Sequence, residues 1–481
     1  MIELITYLTE HFFNRVWRFV QKRTLIGLVI MASQALLIPQ PATALDHQVD
    51  DVDRVANDAT IQLETFDAVW DQVRTQYFDY ARIESDWLEA RETLRPRAAE
   101  ASVTELRSLL NGMLERVGES HFVVLPPTEI RSSGNDAAGD ESGSPLDSDT
   151  NLATGLGVLL IEDALIIDRV GEANAGRIEP GWELIAIGDQ SLDAVIDNAL
   201  NTDDPLARKR ARLILEATAN GRIGFPDQNE ELLLTLRDAE GEAHTVSART
   251  EPEAVHIVQI GNLPGLAFGY RAEVRANAEG CIGIMTFTSW VPELMDRFLE
   301  SRAELFACQG LIIDLRGNLG GVLTTMMPLT SHLVSEVTLL GQLKREDGRI
   351  DFRAFPRLVA DDGSRIQPFD GPVAILIDSM SASTSEMFTA GMQALGRAQV
   401  FGTQSPGMAL PAQMLPLANG DRLMYAFADY IDGEGRRIEG VGVTPDEAIE
   451  PSRADLLAGL DPALEAALSW LATARQQEKH P

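Results

Sequence analysis

Basic residues are scarce in this 481-residue chain: 40 Lys and Arg stand against 73 Asp and Glu, which gives a formal net charge of −33 at pH 7. Such an excess of negative charge repels phosphates, so the composition argues against nucleic acid as a partner. It indicates an acidic, water-exposed surface instead. Hydrophobic residues make up 45% of the chain, as in ordinary globular proteins, and this length is enough for roughly two to four domains.

Cysteine and histidine are also scarce. The two cysteines, Cys281 and Cys308, each precede an apolar strand-like run. A disulfide in an oxidising compartment and a pair of small buried thiols are both consistent with this pattern. The seven histidines are scattered, and no spacing typical of a zinc site occurs. We therefore expect neither a metal nor an organic cofactor.

The N-terminal residues 1–44 have the pattern of an export signal. A basic patch at 15–23 precedes an apolar run from Leu25 to Ile38, and small residues follow up to Ala44. The apolar run is short for a membrane-spanning helix, so we expect cleavage after Ala44, with an uncleaved membrane anchor as the alternative. The predicted location is the periplasm or the extracellular space.

Hydrophobic spacing divides the rest of the chain into five regions. Residues 60–127 carry apolar side chains at helical spacing and predict a small helical domain, and residues 128–152, rich in Ser, Gly and Asp, predict a flexible acidic linker. Strand-like runs predict a mostly β domain over 153–252. Strand and helix patterns alternate over 265–455, which predicts an α/β core, and an Ala/Leu-rich helical tail follows over 456–481.

A cluster of hydroxyl residues follows the apolar run 373–377. It comprises Ser381, Ser383, Thr384 and Ser385, and an amphipathic stretch comes next, which together are typical of a buried strand, a tight turn and a helix. Free N–H groups at a helix N-terminus can stabilise an oxyanion beside a nucleophilic hydroxyl. These residue types also suit a helix cap, but four of them within five positions exceed what one cap needs. We interpret the cluster as the position of a nucleophile.

The tetrapeptide 383–386 (Ser-Thr-Ser-Glu) resembles the Ser-Ala-Ser-Glu region of the C-terminal processing peptidase and tricorn-core superfamily of serine peptidases. The octet 314–321 (Asp-Leu-Arg-Gly-Asn-Leu-Gly-Gly) matches the same superfamily. This resemblance implies a ClpP/crotonase-like catalytic core within a mixed α/β multidomain fold, with Ser383 as the nucleophile. It also implies an oxyanion hole that is made by the N–H of Gly320 or Gly321 together with that of Thr384.

The general base is predicted by elimination within this resemblance. The carboxyl-terminal processing branch uses a lysine, but that position holds Met408, which cannot accept a proton, and the four lysines of the chain lie elsewhere in the sequence. Residues 118–122 match the Ser-His segment of the tricorn core, which implies His121 as the base and Ser120 as the residue that orients it. The closing segment 436–446 implies Glu439 as the fourth member, although a surface glutamate before a turn fits the sequence equally. We expect the His121 imidazole within hydrogen-bond reach of the Ser383 hydroxyl, or slightly further without ligand.

The β region is similar to a circularly permuted bacterial PDZ domain. The resemblance implies that the loop Gly155-Leu156-Gly157 offers N–H groups to a peptide carboxylate, while a spacer domain without peptide affinity is the alternative. Four basic residues at 208–212 fall on a predicted helix, where they either attract acidic substrate tails or form a solvated face.

These interpretations together predict an exported serine endopeptidase that acts on unfolded or C-terminally exposed polypeptides. Polypeptide substrates are the expected partners, and the membrane is nearby only if the N-terminal segment is retained. One alternative is a non-catalytic protein that binds peptides or hydrophobic ligands on the same scaffold, as in the interphotoreceptor retinoid-binding modules. A second is an esterase that uses the same Ser and His.

Overall fold

A computed structural model describes seven stretches of the chain: residues 59–127, 151–225, 231–253, 256–260, 265–277, 280–360 and 362–479. The predicted export signal and residues 128–150 of the predicted linker lie outside them. In the described part, no helix combines the length and the apolar character needed to cross a membrane.

The N-terminal region is helical, as its apolar spacing predicts. Its elements are α1 (Ala59–Gln76), α2 (Tyr80–Ala98), α3 (Val103–Leu114), a 3₁₀ turn (Glu115–Val117) and strand β1 (Val123–Leu125). The indole N–H of Trp70 donates to the carbonyl of Trp87 at 3.0 Å, and that of Trp87 donates to the carbonyl of Trp70 at 3.1 Å, so α1 and α2 are bonded in both directions. Ser102 and Glu105 form a capping box that starts α3.

The β region, hereafter the β domain, contains one main antiparallel sheet and two helices. Its elements are β2 (Asn151–Ala153), β3 (Gly157–Ile161), β4 (Ala164–Arg169), a 3₁₀ turn (Glu172–Asn174), β5 (Glu183–Ile187), β6 (Gln190–Ser191), α4 (Asp193–Leu200), α5 (Pro205–Gly224), β7 (Leu233–Arg237), β8 (Ala243–Ser247) and β9 (Glu251–Glu253). The sheet order is β3-β4-β5-β7-β8, with β6 paired to β5. Residues 151–152, which the sequence assigns to the linker, pair with β9 as part of β2.

The core contains the remaining strands and helices. Its elements are β10 (His256–Val258), β11 (Leu266–Phe268), β12 (Tyr270–Asn277), β13 (Gly280–Phe287), α6 (Glu293–Phe306), β14 (Gly310–Asp314), a 3₁₀ turn (Leu323–Thr325), α7 (Met326–Ser331), β15 (Thr338–Arg345), β16 (Gly348–Ala354), β17 (Val373–Ile377), α8 (Thr384–Ala394), β18 (Ala398–Gly402), β19 (Ala412–Pro416), β20 (Arg422–Ala426), β21 (Asp429–Asp432), β22 (Glu447–Ala448), α9 (Arg453–Leu457) and α10 (Pro462–Lys479). The central sheet has the order β12-β13-β14-β17-β18-β22, parallel from β13 onward. Every residue of β17 is buried, as expected for an inner parallel strand.

Besides the antiparallel pair β10-β11, the described part of the core contains two three-stranded sheets. One has the order β16-β15-β21, and the other has the order β1-β20-β19. Because β1 pairs antiparallel with β20, the N-terminal region and the core share a sheet. They also share one hydrophobic cluster, in which Phe66 and Trp87 belong with Phe287 and Phe388. The predicted domain boundaries stay predictions.

The two cysteines form a disulfide. It joins Cys281 at the start of β13 to Cys308 just after α6, with Cα atoms 4.8 Å apart. Strand β13, which contains Cys281, and strand β14, which follows Cys308, are neighbours in the central sheet, which brings the two Cα atoms within bonding range.

Candidate active site

Ser383 lies in the turn between β17 and α8 and has an unusual backbone conformation. Its φ of 56° and ψ of −116° lie outside the regions that an L-residue normally adopts, which costs about 1–3 kcal/mol. The surrounding structure must therefore hold it there. Its N–H donates to the carbonyl of Met408 at 3.0 Å and to the Glu386 carboxylate at 3.1 Å, and only 4% of the residue is exposed.

Glu386 is a buried carboxylate that holds the segment 405–408 against the Ser383 turn. Its Oε1 accepts from the hydroxyl of Ser405 at 2.6 Å and the N–H of Gly407 at 2.7 Å, and its Oε2 accepts from the N–H of Met408 at 2.8 Å. Burial raises the pKa of Glu386 to about 7, against these hydrogen bonds, which favour the charged form. In the sequence, Glu386 is the last residue of the Ser-Thr-Ser-Glu tetrapeptide, and no local pattern indicates its four donors.

Three residues of the predicted oxyanion hole lie together. Gly320 faces the Ser383 turn so closely that a Cβ atom there would lie 2.7 Å from the nitrogen of Thr384. The N–H of Gly320 donates to Asn318 Oδ1 at 2.8 Å. Among the described residues, the N–H groups of Gly321 and Thr384 have no acceptor. Of the two glycine amides considered from the sequence, the geometry therefore favours Gly321 as the partner of Thr384.

Ser120, His121 and Glu439 form a buried hydrogen-bonded network. Glu439 Oε1 accepts from the N–H of Ser120 at 2.7 Å, and Oε2 accepts from its hydroxyl at 2.8 Å. The Ser120 hydroxyl oxygen lies 2.6 Å from His121 Nδ1. Because the Ser120 hydroxyl proton points to the carboxylate, its oxygen accepts a hydrogen bond from Nδ1–H, and Nε2 then carries the lone pair. This tautomer is the one that a general base requires.

Glu439 is 1% exposed, so it is not a surface residue. Besides Ser120, the N–H of Ala409 donates to it at 2.8 Å and Arg210 Nη2 at 3.2 Å. Burial raises the pKa of Glu439, while the positive charge of Arg210 and the backbone donors act in the opposite direction. Four donors around two oxygens suit the ionised form of the carboxylate.

The pKa of His121 is lowered to about 3, first by burial and then by the positive charge of Arg210. The imidazole is therefore neutral at pH 7 and able to accept a proton. The residue has a positive φ of 62° and is 4% exposed, so the turn before β1 holds the ring in the interior.

Ser383 and His121 are connected through backbone groups. Within the described residues, no hydrogen bond joins the Ser383 hydroxyl directly to the imidazole, whose bonded partner is Ser120. Instead, the N–H of Ser383 donates to Met408, and the next residue, Ala409, donates to Glu439, which holds Ser120. The two halves of the predicted site thus meet at segment 408–409. The direct contact stays a prediction.

The predicted peptide-binding loop lies in the β domain, apart from this network. The N–H of Leu156 donates to the hydroxyl of Thr154 at 3.1 Å, and Gly157 pairs with Arg169 across β3 and β4. Gly155 has a φ of 65° and crosses Gly171 so closely that a Cβ atom would lie 2.5 Å from its Cα. Peptide binding by this loop stays a prediction.

One group in the described part of the chain brings together side chains that metals favour. Ligand atoms of Asp238, Glu242 and His244 lie within 4.8 Å of one another. His244 Nε2 hydrogen-bonds Asp238 Oδ2 at 2.5 Å, and Asp238 Oδ1 accepts from the N–H of Glu242 at 2.8 Å. These bonds account for the grouping, which lies on the β7–β8 hairpin rather than beside Ser383.

Comparisons with known proteins agree with this geometry. The model of peptidase family S41 matches residues 280–449, which hold the Asp-Leu-Arg-Gly-Asn loop, Ser383 and Glu439. The chain thus contains a region that matches peptidase family S41. The chain is also similar in sequence to the carboxy-terminal-processing protease of Bartonella bacilliformis, with 27% identity over 199 residues, 40% of this chain and 44% of that protein. The protease CtpB of Bacillus subtilis is 27% identical over 183 residues, 38% of this chain and 36% of that protein.

The chain thus spans less than half of the length of these two curated relatives, at 44% and 36%. Solved structures resemble it over a longer stretch. The photosystem II D1 C-terminal processing protease has a TM-score of 0.51 at 16% identity and covers 81% of this chain and 94% of its own. Mature CPAF, complexed with lactacystin, has a TM-score of 0.54 at 12% identity and covers 87% and 98%. The predicted mixed α/β multidomain fold is confirmed.

Proposed function

We propose that this protein is a serine endopeptidase with Ser383 as the nucleophile and His121 as the general base. The observation that carries the proposal is the buried Ser120–His121–Glu439 network. It joins positions 319 residues apart in the sequence and leaves His121 Nε2 as a proton acceptor at neutral pH. The position that corresponds to the lysine of the carboxyl-terminal processing branch holds Met408, which cannot accept a proton.

In the proposed reaction, His121 Nε2 takes the proton of the Ser383 hydroxyl while the oxygen attacks a peptide carbonyl carbon. The N–H groups of Gly321 and Thr384 donate hydrogen bonds to the resulting oxyanion. The protonated imidazole, stabilised by Glu439 through Ser120, then gives its proton to the leaving amine. Water, activated by the same imidazole, hydrolyses the ester of Ser383 and restores the enzyme.

Unfolded or C-terminally exposed polypeptides are the proposed substrates. The β domain, which we propose to be PDZ-like, and a peptidase cleft both accept extended chains. We also propose export to the periplasm or the extracellular space. The Cys281–Cys308 disulfide supports this location, because disulfides persist in oxidising compartments.

A fluorophosphonate probe and unfolded casein test the proposal together. We expect the wild type to be labelled and to cleave casein, and we expect Ser383→Ala and His121→Ala to lose both activities. Labelling and ester hydrolysis without casein cleavage would support an esterase instead. A folded wild type that is not labelled at any pH between 5 and 9 would overturn catalysis and leave the ligand-binding alternative.

A further inference from the structure

Arg210 reaches the catalytic network from a different part of the fold. It lies on α5, which belongs to the β domain, yet its Nη2 lies 3.2 Å from Glu439 Oε1. Both of its terminal nitrogens also face the carbonyl of Gly118 at 3.4 Å, two residues before Ser120. Its side chain is only 22% exposed. One guanidinium thus contacts both chain segments that hold the imidazole.

The position of α5 is set by β3 on one side. The side chain of Asn220 accepts from the N–H of Val158 at 2.9 Å and donates to its carbonyl at 2.8 Å. Two residues further along β3, the N–H of Leu160 donates to Glu216 at 2.7 Å, and its carbonyl accepts from Arg212. The N–H and carbonyl groups of Val158 and Leu160, alternate residues of this edge strand, are thus all hydrogen-bonded by side chains of α5. An added β-strand would bond the same groups.

The other side of α5 is held by the loop that leads to Ser383. Ser379 donates its hydroxyl proton to Glu216 at 2.6 Å. Leu213 and Ala217 of the helix form a buried apolar cluster with four residues around the nucleophile turn, namely Leu319, Met380, Ala382 and Met408. With polar bonds on both sides and apolar packing between, α5 is a rigid support for Arg210.

We propose that Arg210 is a positioning residue of the catalytic network: it keeps the Glu439 carboxylate ionised and bonded to Ser120, which fixes the tautomer of His121. This inference rests on the proposed function. A carboxylate buried without a compensating charge takes up a proton or moves toward water. Either change would release the Ser120 hydroxyl and, with it, the orientation of the imidazole.

Other charged groups near the imidazole have hydrogen-bond partners of their own. Glu119, next to Ser120, bonds Arg82 at 3.1 Å and Arg437 at 3.0 Å. Glu386 is held by four donors on its own side of the site, and Lys209 bonds the carbonyl of Val441 at 3.1 Å. Arg210 is therefore the charge whose removal alters the network most directly.

The test compares Arg210→Gln with Arg210→Lys and with Arg208→Gln. Arg208 lies on the same helix but bonds Leu200 and Asp163, away from the network, so it is the matched control. In kcat and KM measurements across pH, Arg210→Gln should lower kcat about 10- to 100-fold with little change in KM. The acidic limb of its pH profile should move to higher pH, because the positive charge that disfavours the protonated imidazole is gone. Arg210→Lys should restore part of kcat, and Arg208→Gln should match the wild type.

A kcat and pH profile for Arg210→Gln equal to those of Arg208→Gln would overturn the inference. If Arg210→Gln does not fold, the milder Arg210→Lys carries the test, with a shifted pH profile as the expected result and an unchanged one as the contrary result.

Titration of the His121 ring nitrogens by NMR in Ser383→Ala protein, with and without Arg210→Gln, needs no activity. A wild type that cannot be labelled overturns the proposed function, whereas an unmoved titration overturns the role of Arg210.

Discussion

The backbone N–H of Met408 donates to the buried carboxylate of Glu386 at 2.8 Å. The same methionine accepts from the N–H of Ser383 through its carbonyl and packs its side chain beside Ala382. At the position where carboxyl-terminal processing relatives would have a basic side chain, this chain has a buried apolar one. The backbone of this residue holds the nucleophile turn in place, and Glu386 holds that backbone through its hydrogen bonds.

We therefore expect Glu386→Gln to damage the site more than an ordinary loss of charge. An amide has one acceptor oxygen, so its NH2 group would face N–H and O–H donors that now meet a carboxylate. The free energy of unfolding in urea should fall by about 2–4 kcal/mol. The exposed Glu300→Gln is the control and should change it by less than about 0.5 kcal/mol. Equal losses of unfolding free energy in the two variants would show that Glu386 does not stabilise the nucleophile turn.

Gly320→Ala should abolish labelling of Ser383. A Cβ at this position would come within 2.6 Å of the carbonyl of Ala382 and 2.7 Å of the nitrogen of Thr384, and the backbone φ of 97° is unfavourable for alanine. We expect the labelling rate to fall by about 100-fold or more. The matched variant is Gly317→Ala, where φ is also positive but a Cβ meets nothing within 4 Å. Similar labelling of both variants would exclude a tight oxyanion hole.

Ser120→Ala should lower kcat about 10- to 100-fold and leave KM nearly unchanged, because the imidazole loses the hydroxyl that fixes its tautomer and orientation. Ser120→Thr keeps a hydroxyl and should retain more activity. Steady-state kinetics on a peptide substrate would separate the two. A Ser120→Ala enzyme with full kcat would show that the network does not orient the base.

Glu216 should make the protein less stable as the pH rises from about 4.5 to about 7. Burial, the largest effect, raises the pKa of this carboxyl from 4.5 to about 7, so the folded state binds a proton that the unfolded state has released over this range. Its contribution is complete below the unfolded pKa and is lost as the pH passes the folded one. Urea unfolding at pH 4.5, 6 and 7.5 would measure the slope, and Glu216→Gln should flatten it. An unchanged slope in that variant would assign the pH dependence to other groups.

Reduction of the disulfide should lower the free energy of unfolding by about 2–4 kcal/mol, because Cys281 and Cys308 close a loop across 27 positions. Chemical unfolding with and without a reductant measures this difference. The double variant Cys281→Ser/Cys308→Ser should match the reduced wild type and show no further response to reductant. If the double variant still lost stability in reductant, the loss would not come from the Cys281–Cys308 disulfide.

Much of the core follows from the sequence because its strands are local patterns. The apolar run 373–377 corresponds to β17, and the strand-like runs beside Cys281 and Cys308 correspond to β13 and β14. Asn419 and Gly420, a pair typical of a hairpin turn, lie between β19 and β20, which pair antiparallel. These signals depend on neighbours in the chain, so no knowledge of the packing is needed.

The candidate site was predictable only where a motif carried it. The resemblance supplied Ser120, His121 and Glu439, and the structure places all three in one bonded group. Arg210 and Glu386 were not assigned these roles, since their contacts join residues 229 and 22 positions apart through packing that no local pattern records. From the sequence, Arg210 is only one of the four basic residues at 208–212 on a predicted helix.

The β3 edge has a wider consequence for any polypeptide that meets the β domain. While α5 packs against β3, its side chains already bond the backbone groups of Val158 and Leu160. A peptide that bound along this edge would have to displace α5 and would move Arg210 away from Glu439. We therefore expect a peptide bound along the β3 edge to inhibit the proposed hydrolysis.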